Sequence, residues 1–492
     1  MKLLNSLVLC SALSVQNVLA ASCSHGKLFV SDDNNTNIYV FDVSTGALED
    51  LTPEYTITDA PGKAGLNMKA TSSFTEIGVM FRGSEELGYT DGVVSFLDTG
   101  ARTEMHGDHY DLTWETPSFI ENAGFECARV IHYTPHDDRI ALFCDGTYGD
   151  EEAGIEPVNS TIWIVDETKF GSTTESAVIY TKTLQGSHHG AAAPVDDGHI
   201  MYSLATPDRI NRTPGVGVTQ ALPDTFVVED YEGNLLHSID DTSNPDTSCV
   251  GFHGEWAHDN QFALACNADH GGILRVDYDE TAGTYTSRAL SYPAAHNESR
   301  TGSFTGHDNA HHVVGNFAGP EAFFLMAFEP DDMELTENQL LPLPARQCAF
   351  AYEKGAAETV LVFLPTGSFH VFQYHDSAWE QKAEVQVVTN MTECSEVLFV
   401  PGVGQAFVFE KNNQPFDAAV AGAPEEVICG RKVEQHTEEG GEDHNHEHEG
   451  DEAKDDGDTD VTASEANEVS GARGVVLFYQ ILLAVSALMT VL

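Results

Sequence analysis

Positive charge is scarce in this chain. Its 492 residues carry 23 Lys and Arg against 78 Asp and Glu, a formal net charge of -55. Such a surface repels a phosphate backbone, which argues against nucleic acid and leaves cations as the natural partners. Two catalytic signatures are also missing. No Gly-x-Ser-x-Gly element and no dinucleotide-binding glycine fingerprint occurs, so a serine-hydrolase elbow and a nucleotide-cofactor turn have no sequence basis. Between the two ends of the chain no long helical period appears. Cysteine is sparse, nine in all, and Cys10 lies in an N-terminal stretch that reads as a secretory leader. Lys2 starts that stretch, Leu3 to Val18 is mostly apolar, and Val18-Leu19-Ala20 is a small-residue cleavage site. Removal of residues 1–20 leaves an even set of eight cysteines, as expected where thiols are paired in an oxidising compartment. Sequons at Asn34, Asn159, Asn211, Asn297 and Asn390 point the same way, to a secreted glycoprotein.

Two of the stretches that are present are near copies. CARVIHYTPHDDRIALFC runs from Cys127 to Cys144, and CVGFHGEWAHDNQFALAC from Cys249 to Cys266. Each opens and closes on cysteine and has a His-Asp step at the same offset. That step is turn chemistry, and the apolar runs around it are strands. Each unit therefore reads as a β-hairpin stapled at its open end by Cys127–Cys144 or Cys249–Cys266. Cys23 with Cys429 and Cys348 with Cys394 are the pairings taken for the rest, with the alternatives open.

Short β-rich segments broken by Gly, Asp or Asn recur every roughly 40–55 residues, the spacing of propeller blades. They run from KLFVSD and NIYVFDVSTG, through the stapled units, to TVLVFLPTGS and a shorter SEVLFVPG/QAFVFEKN pair. The fold expected is an all-β propeller of seven or eight blades over residues 21–432, closed by pairing of its N- and C-terminal segments. The competing architecture is a pair of β-sandwiches. In a propeller the starts of the innermost strands converge at one channel mouth. Histidines recur there: His132, then His188 and His189, then His253 with Glu255, then His307 and Asp308 with His311 and His312. A loop, MHGDHYDL, adds His106, Asp108, His109 and Asp111. Imidazoles and carboxylates without thiolates suit Zn²⁺ best, with copper and nickel as rivals.

Together HGKLFVSD, HGDHYD, SHHGAAAP, the Cys…His-Gly-Glu…Cys unit and GHDNAHHVVGNF resemble, in this order, the AztD-type zinc metallochaperones. These are secreted or periplasmic β-propellers that pass zinc to the solute-binding protein of a zinc importer. The resemblance covers roughly residues 24–410. It implies a zinc site from His189, His253 and His307, approached by a loop with His106, Asp108 and His109. The chain departs from the family in a loop poorer in histidine and in an added C-terminal extension.

That extension is acidic from about Val433 and too polar to bury a core, so residues 433–464 are expected to be disordered. His444, His446 and His448 within it are weak metal ligands at most. Residues 465–492 end in VVLFYQILLAVSALMTVL and read as a GPI-attachment signal, or else a C-terminal membrane helix. The function expected is a cell-surface zinc metallochaperone, not an enzyme, that transfers Zn²⁺ to a zinc transporter or other acceptor protein. A metal-dependent propeller hydrolase or lactonase, with Glu255 or Asp308 as general base, and an adhesive propeller are the alternatives.

Overall fold

The computed structural model describes residues 26–432 apart from 32–34, 43–52, 74, 107–108, 196–197, 206–221, 241–250, 259, 268–271, 307–311, 319–322, 330–331, 333, 355–357, 376, 387–395, 401–404, 410–417, 423–426 and 429–430. The fold is a β-propeller. Among the described residues seven sheets of four or five strands follow one another, built by antiparallel pairing mostly of sequence neighbours. Among the described residues the helices are single 3₁₀ turns, such as Glu167–Lys169, and none is long and apolar enough to cross a membrane.

The first sheet closes the ring. Its strands Gly26–Ser31, Ile38–Asp42 and Tyr55–Ile57 come from the start of the chain, and Ala418–Gly422 pairs on the inner side of Gly26–Ser31. That junction fulfils the expected pairing of terminal segments and removes a free sheet edge. The third sheet runs Val130–His136, Arg139–Cys144, Thr161–Asp166 and Val178–Thr183 from channel to rim. The fifth repeats it with Phe252–His258, Gln261–Cys266, Gly272–Asp279 and Thr284–Ser291. A two-stranded pair, Glu396–Val400 with Gln405–Phe409, corresponds to the short last repeat.

Apolar residues on both faces of each sheet explain the stacking. Met80, Val94 and Phe96 of the second sheet share one cluster with Val130, Tyr133, Ile140 and Leu142 of the third. Phe143, Ile162 and Ile164 of the third meet Ile200, Tyr202 and Val227 of the fourth. Met201, Phe226 and Val228 of the fourth meet Phe252, Phe262 and Leu264 of the fifth. Each fully buried side chain of this kind contributes about 1.5–3 kcal/mol, so the inter-sheet seams hold the ring together.

The first stapled hairpin matches the sequence pattern. Val130–His136 pairs with Arg139–Cys144 around a two-residue turn, with His136 opposite Arg139 and Asp137 in the left-handed region at φ 51°. Cys127 and Cys144 form a disulfide with Cα atoms 5.4 Å apart. Cys266 and Cys348 are disulfide-bonded as well; Cys249 and Cys394, the partners expected for them, lie outside the described residues, as do Cys23 and Cys429.

Candidate metal centre

The innermost strands of the third, fifth and sixth sheets all break register near the channel mouth. The irregularity falls between Val130 and His132, between Phe252 and Glu255, and between Thr301 and Phe304. A bulge turns side chains out of the pleat, and bulges gather beside functional sites for that reason. Here they aim His132 and His253 inward. Gly254 follows His253 at φ 82°, where an added Cβ would stand 2.9 Å from the Gly302 carbonyl oxygen. The third histidine, His189, precedes the inner strand Ala192–Pro194 of the fourth sheet. Gly190 beside it packs on Phe143 so closely that a Cβ would come within 2.3 Å of the ring. Both histidine-glycine steps thus serve close backbone approach, as their spacing suggests.

The three rings form one group. Their centres are 4.9 Å apart for His132–His189, 4.8 Å for His189–His253 and 6.0 Å for His132–His253. Every Nδ1 already has an acceptor. His132 Nδ1 lies 2.9 Å from Oε1 and 2.7 Å from Oε2 of Glu255. His189 Nδ1 donates to Asp145 Oδ2 at 3.0 Å, and His253 Nδ1 to the Gly302 carbonyl at 2.8 Å. The acceptors are themselves held. Glu255 Oε1 accepts from Thr134 Oγ1 at 2.9 Å, and the Gly302 bulge is fixed by Asn316 Oδ1, which accepts from the Gly302 and Ser303 amides at 2.6 and 3.0 Å. Asp145 is fully buried, with Arg129 Nε 4.0 Å away.

With Nδ1 carrying the hydrogen in each ring, Nε2 is the free lone pair, the arrangement that metal-ligating histidines adopt. Nε2 of His132 and Nε2 of His189 are 3.3 Å apart. Two lone pairs at that distance need a cation between them, either a proton or a metal. Zn–N bonds of about 2.0–2.1 Å in a tetrahedron put donor nitrogens roughly 3.3 Å and ring centres roughly 5 Å apart, so this pair matches and the His132–His253 side is about 1 Å too wide. Among the described residues no group of three or more His, Cys, Asp or Glu is drawn in far enough to hold an ion as it stands; closing this one takes a small inward shift of His253.

Charge at the site is uneven. Burial lowers the affinity of His132 for a proton, but Glu255 outweighs it and the imidazole is raised above its ordinary value. Glu255 in turn is held below the usual carboxylate range: burial pushes it up, and His132, Thr134 and Lys69 bring it down. His253 drops to about 4 through burial and the neighbouring His189 and His132. A proton entering the site therefore favours His132 over His253. Lys69, on the inner strand Leu66–Ala70 of the second sheet, adds an opposing positive charge from an exposed position.

Of the residues the sequence singles out, His132, His189 and His253 meet here. His307, Asp308 and Asp108 lie outside the described residues. His106 and His109 face each other across the end of a hairpin, Ala101–His106 with His109–Trp114. The sequence reads there as a loop; the alternation in ARTEMH and HYDLTW makes two strands instead. Lys27 over Trp114 and the Arg102–Asp98 and Arg102–Glu115 ion pairs fix the base of that hairpin. His188 turns away from the site, buried on Phe143, and His312 sits elsewhere, on Glu358 and Tyr374. Glu255, a candidate general base on sequence grounds, spends its carboxylate on His132 and Thr134. Asp145 is a site residue that the sequence does not single out. Its signal is the repeat itself: Asp145 follows the closing Cys144 as Asn267 follows Cys266, and Asn267 likewise reaches the next sheet, accepting from the Thr301 amide at 2.9 Å.

No protein-family profile matches the chain. The zinc chaperone AztD of Citrobacter koseri is 26% identical to it over 287 residues, 57% of this chain and 56% of that protein. The chain therefore aligns with little more than half the length of this curated relative. Two crystal structures of C. koseri AztD, one of them the apo form, superpose with TM-scores of 0.59 and 0.58 at 19% identity, over 81% of this chain and 98% of the other. The fold is similar to that of C. koseri AztD, and the likeness in sequence spans 287 residues.

Proposed function

We propose that this protein is an extracytoplasmic zinc chaperone: it captures Zn²⁺ on His132, His189 and His253 and hands it to an acceptor protein. The similarity to a zinc chaperone supports the role. The observation that carries it is the grouping of three imidazoles, each with Nδ1 tied to an acceptor and with Nε2 of His132 and Nε2 of His189 3.3 Å apart. Rings held in this way lose little entropy on binding, so three suffice for tight capture. A fourth position left to a movable donor permits release, and His106, His109 and His307 are the candidates for it. The acidic surface draws cations toward the mouth. The leader-like N-terminus and the apolar C-terminus support display at the cell surface on a lipid anchor.

One experiment addresses both location and transfer. Protein freed from cells by phosphatidylinositol-specific phospholipase is loaded with one equivalent of Zn²⁺ and mixed with the apo zinc-binding ectodomain of a zinc importer. Direct handover makes the transfer rate climb with acceptor concentration. A rate fixed at spontaneous dissociation, whatever the acceptor concentration, contradicts it, and failure of the lipase to release protein contradicts the anchor.

A further inference from the structure

We propose that the seam between the second and third sheets holds a second metal site, built from oxygen donors alone, that takes a hard divalent cation such as Ca²⁺. Two carboxylates from different sheets converge on one Ser/Thr loop. Glu76 begins the strand Glu76–Phe81, and Glu167 begins the 3₁₀ turn that ends Thr161–Asp166. Oε2 of Glu76 accepts from Ser73 Oγ at 2.8 Å and from Thr75 Oγ1 at 2.7 Å. Oε1 of Glu167 accepts from the Ser72 amide at 3.2 Å. Thr71 Oγ1 joins the loop through Ser73 Oγ at 2.8 Å.

A second observation is independent of these carboxylates. Tyr133 is 5% exposed, and its hydroxyl has no hydrogen-bond partner among the described residues. Its ring lies against Gly78, where a Cβ would stand 2.6 Å from the ring edge and 3.3 Å from the hydroxyl. Gly78 stands two residues after Glu76 on the same face of that strand, so the hydroxyl lies on the Glu76 side of the seam. Burying an unpaired hydroxyl is costly, and such groups commonly mark a place for an ordered water or ion. Glu167 supports the same reading. Burial and Glu76 raise its carboxyl to about 7, so the second negative charge is unfavourable without a compensating cation.

The donor set selects the ion. Carboxylates, hydroxyls and a phenol are hard ligands, with no imidazole or thiolate to favour zinc. The phenol either ligates directly or orients a water on the ion. Tyr133 is the residue after His132, on the opposite face of the same strand. The proposed Ca²⁺ site and the histidine group therefore share Val130–His136 but no ligand, and either can be present without the other.

The test uses the full chain, freed of metal by chelation. Ca²⁺ should raise the melting temperature saturably, and Tb³⁺ should show emission excited through tyrosine that Ca²⁺ displaces. Glu167→Gln should weaken this binding by about tenfold or more, since it removes one of two ligand charges. Tyr133→Phe, which keeps the ring packing, should abolish the sensitised emission and reduce the calcium-dependent stabilisation. Because the acidic tail also attracts cations, the variants decide. Calcium stabilisation and terbium emission unchanged in both variants, or no calcium response in the wild type, would overturn the site. If Glu167→Gln does not fold, Tyr133→Phe decides alone: lost emission supports the site, and unchanged emission with unchanged stabilisation overturns it.

Discussion

The three mouth imidazoles differ in their response to acid although they share one site. Glu255 raises His132 above its ordinary value of 6.5, whereas His253 is lowered to about 4. Proton competition with zinc therefore reaches His132 well before His253. Zinc affinity should begin to fall through His132 as pH drops from neutrality, with His253 adding its proton only near pH 4. Competition titrations across that range check this; a three-proton slope near pH 6 would contradict it. Stability has its own sign. Buried His188 is lowered to about 4, by burial first. The unfolded chain binds that proton more readily, so its contribution is complete above pH 6.5 and is lost as pH falls toward 4. The scale is ~3 kcal/mol, readable by denaturant melts of metal-free protein.

At the scale of elements, the stapled hairpin does more than hold its own ends. Cys144 is followed by Asp145, whose carboxylate orients His189 and whose carbonyl accepts from Ser160 Oγ at 2.7 Å and Ser187 Oγ at 2.8 Å. A disulfide closing a loop of this length is worth ~3 kcal/mol. Cys127→Ser should cost about that in stability and should also weaken zinc binding, because Asp145 loses its fixed place. Equal zinc affinity in the variant would separate the staple from the site. The hairpins, their turns and their cysteines are legible in the sequence because strand alternation, His-Asp steps and paired cysteines are local signals. His189 and His253 are legible because glycine follows each. The Nδ1 acceptors are not. Asp145, Glu255 and the Gly302 carbonyl reach their histidines across 44, 123 and 49 residues of sequence, and only the closed ring brings them together. The hairpin at His106 does not read as strand because its polar alternation lacks the apolar runs that mark a blade.

Across the whole molecule, the ring and the acidic extension are the two candidate holders of zinc. Both contain histidine, and the sequence alone leaves open which binds zinc tightly. Preorganisation favours the ring: its histidines are already oriented, whereas the sequence around His444, His446 and His448 is too polar to pack a site. Lys69 tempers the ring site, and as an exposed like charge its removal should strengthen zinc binding only by a factor of about 2–5. The decisive measurement is a zinc titration against a competing chelator on three forms of the protein: wild type, His253→Ala and a deletion of residues 440–460. His253→Ala should lose the tight site, and the deletion should remove only weak binding. Tight binding that survives His253→Ala and disappears with the tail would show that the mouth histidines are structural and that the ring is not the zinc carrier.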